Sequence, residues 1–219
     1  MKNLLLFFVF QICMLQMNAQ HFALSNDRMN IAYLGVDNPI SIAVENCPCK
    51  NIVLKVKNGT VVGQNCRYIF RGKEVGAASI VVYEKNGKQL KVIGEYPLKV
   101  KRFPPPTFKI GPYGSSYFYD SDRKVQKVVL ANQQYVRAEL EGFDIDIHYS
   151  IDSFAVKIFY NDSFKVKTFV NASNKINQEL SNGFSILKKD DVILFHNIFI
   201  TGPDGQHYEL DPLILTIDK

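Results

Sequence analysis

Apolar positions alternate with polar ones in short runs, and turn residues end almost every run. In "NIVLKVK" (Asn51–Lys57), Ile52, Leu54 and Val56 share one face, while Val53, Lys55 and Lys57 share the other. A period of two is that of a strand with one buried side. The pattern recurs in "MNIAYLGVDNP", "ISIAVE", "VVG", "RYIF", "GAASIVVYEK" and "QLKVIGEYPLKVKRF". Asp37-Asn38-Pro39, Asn58-Gly59-Thr60 and Asn86-Gly87-Lys88 punctuate these runs. Asn and Gly accept positive φ, and Pro fixes its own, so each is a turn signal; the two Asn-Gly pairs predict hairpins. About seven short strands in roughly 80 residues predict an immunoglobulin-like sandwich.

The pattern resumes after residue 107. "VQKVVLANQQYVRAEL" (Val125–Leu140) opens as a helical turn and becomes a strand. In "FDIDIHYSI", Phe143, Ile145, Ile147 and Tyr149 oppose Asp144, Asp146, His148 and Ser150. "SFAVKIFYN" and "SFKVKTFVN" are further strands. "NKINQELSNG" (Asn174–Gly183) is a short helix ending at its glycine. "DDVILFHNIFIT" is a strand pair or one bent strand, and "GPDG" (Gly202–Gly205) is a tight turn before the closing "HYELDPLILTID". The expected architecture is all-β: two tandem immunoglobulin-like β-sandwich domains, residues 20–103 and 108–219, joined by a short Pro-rich linker, residues 104–107. Pro104, Pro105 and Pro106 lack N–H donors and favour extended backbone. They are read as a stiff joint and not as a ligand for a proline-recognition domain.

Composition refines this picture. "MKNLLLFFVFQICMLQMNA" (residues 1–19) has an early Lys2, an apolar stretch and Ala19 at its end, the layout of a cleavable signal peptide. The product is expected to be exported, to the periplasm, the outer envelope or beyond, with no transmembrane segment in the mature chain. Residues 20–103 hold 13 Lys/Arg against 6 Asp/Glu, and residues 104–219 hold 12 against 15, so a basic half precedes an acidic one. Such asymmetry can steer association. No Arg-rich stripe suggests nucleic acid.

Candidate chemistry is sparse. Cys47, Cys49 and Cys66 remain after signal removal. In an exported chain Cys66 can bridge to Cys47 or to Cys49, leaving one thiol over. Free thiols and a metal site are the alternatives, and the single-residue spacing of Cys47 and Cys49 fits zinc poorly. Asp144 and Asp146 share a strand face, as do countless solvated acids. His21, His148, His196 and His207 form no ligand grouping, and the GPDG turn has one acid, too few for calcium. No catalytic, cofactor or metal residue is assigned, and no enzyme activity is expected. Asn58, Asn161 and Asn171 fit the N-glycosylation pattern. Tyr117 and Tyr119 in "YGSSYFYD" offer an aromatic platform for the alternative reading, a ligand- or glycan-binding module.

Four stretches carry a specific resemblance. "ALSNDRMNIAYLGVDNPISIAV", "GEYPLKVKRFPPPTFKIG", "LANQQYVRAELEGFDIDIHYSIDSFAV" and "NIFITGPDGQHYELDPLILTI" resemble, in order, segments of the last two domains of the GldM (PorM) family. The resemblance implies the C-terminal periplasmic β-domains of a type IX secretion and gliding component of Bacteroidetes. It implies protein–protein contacts in the envelope and a homodimer, with no catalytic residue to carry over. The family's anchor helix and helical first periplasmic domain have no counterpart here, where a signal peptide is expected instead.

Overall fold

The computed structural model describes residues 22–25, 30–111, 123–143 and 147–218. The chain divides into two compact units, residues 1–101 and 102–219. The signal segment, His21, Tyr117, Tyr119, Asp144 and Asp146 lie outside the described residues.

In the first unit the described strands are β1 (Phe22–Ser25), β2 (Ile31–Tyr33), β3 (Asn38–Val44), β4 (Ile52–Lys57), β5 (Gly59–Gln64), β6 (Arg67–Gly72), β7 (Gly76–Asn86) and β8 (Gln89–Lys101). They build two four-stranded sheets, ordered β1-β3-β6-β5 and β2-β8-β7-β4. This is the two-sheet division of an immunoglobulin sandwich. Ile40, Ile42 and Phe70 from one sheet pack with Ile80, Val82, Leu98 and Val100 from the other. Buried Asn38 fixes the passage from β2 to β3. Its amide donates to the carbonyls of Tyr33, Val36 and Phe70 and accepts from the Tyr33 N–H. A buried amide with its donors and acceptor all paired costs little to bury.

The two predicted Asn-Gly turns part ways. Gly87 and Lys88 link the paired Asn86 and Gln89 in a two-residue hairpin, with Gly87 at φ 61°. Asn58-Gly59-Thr60 is no hairpin, because β4 and β5 belong to different sheets. Asn58, at φ 56°, carries the chain across. Its side chain donates to the carbonyls of Glu74 and Ala77 and accepts from the Glu74 N–H. Gly59 is needed for closeness: a Cβ there would lie 2.6 Å from both the Arg71 carbonyl oxygen and the Phe70 ring. An unpredicted hairpin joins β5 to β6 through Asn65 and Cys66, at φ 55° and 64°. Positive φ at both central residues is the type I′ geometry that suits strand twist.

The second unit comprises β9 (Thr107–Ile110), β10 (Lys124–Val125), α1 (Lys127–Ala131), β11 (Val136–Glu139), β12 (Ser150–Tyr160), β13 (Lys165–Asn171), α2 (Gln178–Ser185), β14 (Val192–Thr201), β15 (His207–Leu210) and β16 (Leu213–Ile217). The large sheet runs β10-β16-β14-β12-β13, with β15 beside the far half of β14. The second layer is the β9–β11 pair with helices α1 and α2. Phe108 of that layer lies 5.4 Å from Phe195 and 6.1 Å from Phe154, and Phe184 of α2 lies 6.3 Å from Phe195.

Two sequence expectations change here, and one choice left open is decided. Of the alternation from Phe143, the described residues Phe143 and Ile147 to Tyr149 lie outside strands, and strand begins at Ser150. Helix α2 starts under the Asn177 side chain, which accepts from the Leu180 N–H at 2.8 Å. It runs through Gly183 to Ser185, and a Cβ at Gly183 would meet the Phe169 ring at 2.7 Å, so this glycine serves packing and not termination. "DDVILFHNIFIT" yields a single strand, β14, with Asn197 at φ 48°. That bulge moves the buried set from Ile193 and Phe195 to Ile198 and Ile200.

Candidate functional site

The three cysteines meet at one end of the first sandwich. Cys49 lies in a 3-10 turn, Cys49–Asn51, and is disulfide-bonded to Cys66 in the β5–β6 turn, with Cα atoms 5.1 Å apart. The bond ties the segment entering β4 of one sheet to the β5–β6 hairpin of the other. Cys47 keeps a free thiol, partly buried against the first core. Burial, and secondarily the Glu84 carboxylate, push that thiol's pKa up, so the unreactive protonated form dominates.

The proline run is docked on the second unit. Arg102 Nε donates to Asp204 Oδ2 at 2.9 Å, and the Asp204 side chain is only 4% exposed. The Gln206 N–H and the Tyr208 hydroxyl also reach Asp204. Phe103 is buried and meets Phe143 edge to face at 5.7 Å. The Tyr149 hydroxyl donates to the Pro104 carbonyl at 3.1 Å. Burial first, then Tyr208 and Asp204, push the Tyr149 pKa up to about 12. The tight GPDG turn therefore holds the start of this unit, a role its sequence did not announce. Strand hydrogen bonding in the first unit persists to the Lys101 carbonyl, which accepts from the Leu34 N–H.

The histidines stay apart. His196 lies on β14, where its Nε2 is enclosed without a hydrogen-bond partner. His207 Nδ1 sits 3.0 Å from Thr201 Oγ1 and 3.6 Å from Asp152 Oδ2, and Thr201 donates to Asp152 at 2.7 Å. This trio spans β12, β14 and β15, so no sequence spacing reveals it. In a nucleophile relay the imidazole bridges hydroxyl and carboxylate through different nitrogens. Here both address Nδ1 on an exposed ring, and the trio is a surface polar cluster. Asp191 is buried and accepts the N–H groups of Asn161 and Lys188, each at 2.8 Å, a structural role. Of the three Asn-x-Ser/Thr sites, Asn171 is buried and the Asn58 amide is committed to backbone, while Asn161 lies exposed between β12 and β13.

A surface the sequence hid is the outer face of the large sheet. Cross-strand registers place Val166, Phe159, Val192 and Thr216 in one row, Thr168, Lys157, Leu194 and Ile214 in the next, and Val170, Ala155 and His196 in a third. Val166 is 55% exposed, Val170 69%, and Phe164 at the β12–β13 tip 91%. Phe164 is held at φ 53°, a left-handed conformation that a bulky side chain rarely adopts.

These features define a class: a tandem β-sandwich protein with a disulfide-closed first unit and an open apolar sheet face on the second. A family model described as the GldM third domain matches residues 22–101, and one described as the GldM C-terminal domain matches residues 104–218. The chain belongs to the GldM family. No curated protein matches it. Solved structures similar to it include Bacteroides uniformis beta-glucuronidase 3 (10% identity, TM-score 0.29, covering 93% of this chain and 25% of that one). Yersinia pseudotuberculosis adhesin InvE follows at 12% identity and TM-score 0.30, over 92% of this chain and 59% of that one. The Bacteroides ovatus mixed-linkage glucan utilization locus protein SGBP-B, solved with a mixed-linkage heptasaccharide, has 14% identity and TM-score 0.26, over 84% and 49%. The chain thus spans between a quarter and three fifths of the length of these structures. No helix of the described residues is long and apolar enough to cross a membrane.

Proposed function

We propose that this chain is an exported, non-enzymatic docking protein of the cell envelope. It works through protein–protein contacts as the last two domains of the GldM type IX secretion and gliding family do, with other envelope proteins and with a second copy of itself as partners. The observation that carries this reading is the consecutive match of both family domains, in order, across residues 22–218. The leader-like first 19 residues support export. Edge strands and open sheet faces are the means by which such domains bind. The joint between the units is the short stretch about Lys101 and Arg102, and the prolines stiffen the entry to the second unit.

Cell fractionation after chemical crosslinking tests this. The chain should appear in the envelope fraction within a discrete larger species. A strictly monomeric chain, recovered without any retained partner, would overturn the reading.

A further inference from the structure

We propose that the outer face of the β13-β12-β14-β16 sheet docks another protein through a segment that is apolar and carries a carboxylate set to meet Lys157. The inference rests on the docking reading above and assigns it a surface and a partner chemistry. The face is apolar at Phe159, Val166, Val170, Leu194 and Ile214, and it continues to Phe164 at the hairpin tip. A cleft of about 220 Å³ opens there between Phe159, Phe164, Val166 and Val192, with Asp190 at its rim. Contiguous exposed apolar surface of this kind marks an interaction site. A fully exposed phenylalanine held in a strained turn points the same way.

Charge selects the occupant. Lys157 stands in the middle row between Thr168 and Leu194, and no described carboxylate comes within ion-pair distance of its ammonium. The other acids of this face, Asp152 and Glu209, stand at its opposite end with Thr201 and Phe199. A two-fold contact centred on the face would set Lys157 against its own counterpart, with no acid in the central rows to answer it. Like charges juxtaposed in an interface are strongly unfavourable. A second copy therefore fits poorly, and a different protein with an acid among apolar side chains fits well.

The test places the photocrosslinking residue p-benzoylphenylalanine at position 170 of the full chain in its own cells, with a second probe at the first-unit position Val62. Adducts are identified by mass spectrometry of the joined peptides. The expected adduct at position 170 is with a different protein, at a peptide bearing Asp or Glu among apolar residues. Lys157→Glu should lower its yield at least about tenfold, and Lys157→Arg should retain it. Thermal unfolding unchanged in both variants keeps the comparison one of binding. An adduct between two copies, or a yield indifferent to Lys157→Glu, overturns the proposal. Adducts from position 62 and none from position 170 also overturn it, but leave docking by another surface standing. Silence from both probes, with no retained complex, removes the docking reading itself.

Discussion

Single residues set the locks that hold each unit. The Cys49–Cys66 bond closes a loop of separation 17, and closing such a loop in the unfolded chain stabilises by about 3 kcal/mol. Cys49→Ser should therefore lower the stability of the first unit by about 2–4 kcal/mol in denaturant unfolding. Cys47→Ser should cost less than about 1 kcal/mol, because its thiol is only partly buried. Tyr149 makes a pH prediction. Its pKa is raised to about 12 when folded, against about 10 for a free tyrosine, so between those values the folded state binds the extra proton. Stability from this group is complete below pH 10 and falls as pH rises through 12. Burial also raises Tyr68, Tyr160 and Tyr208, so absorbance titration should show several late-ionising tyrosines, and Tyr149→Phe should remove the component near pH 12. If that variant leaves the titration curve unaltered, the Tyr149–Pro104 contact is not as described. The sequence offered Cys66 a bridge to Cys47 or to Cys49, but it did not suggest the locks of the second unit, since Arg102 and Pro104 lie far along the chain from Tyr149 and Asp204 and meet them only when it folds.

At the scale of elements, periodicity was informative wherever a strand buries one face. Strands β3 and β4 follow from it, while the β7–β8 turn follows from its Asn-Gly pair. It failed where local signals serve a non-local purpose. An Asn-Gly pair requires only that positive φ be tolerated, and at Asn58-Gly59 that freedom serves a crossing between sheets. Gly59→Ala should accordingly be costly, roughly 2 kcal/mol or more, through the clash with Phe70. At Gly87, with open space but φ 61°, alanine would meet only the left-handed strain, about 1 kcal/mol, and calorimetry of the two variants compares the costs. Gly183 misled in the same way: its missing Cβ makes room for Phe169. Asn177→Ala, removing the α2 cap, should cost about 1 kcal/mol. The outer apolar face was illegible because Val166 and Val170 are ordinary strand residues. Only the register shows that no described element covers them.

At the scale of the whole molecule, the two units and their order were readable from the turn spacing and the shift in charge at the prolines. The family models match residues 22–101 and 104–218. The proline run itself reads differently once folded. Its carbonyl bond to Tyr149 and the Arg102–Asp204 pair attach it to the second unit. Replacing Pro104, Pro105 and Pro106 together by Gly should loosen that attachment and broaden the small-angle scattering profile, with each unit still folded. Arg102→Ala should act in the same direction. A profile unchanged by both would mean that other contacts hold the start of the second unit.

The central claim is that this chain acts by holding on to other proteins of the envelope. The mass of the species that contains it, measured on crosslinked and then solubilised envelope from cells producing the full chain at its native level, tests that claim most directly. The account predicts a discrete complex well above the 25.0 kDa of the chain, containing at least one other protein. A single species at the mass of one copy would contradict it.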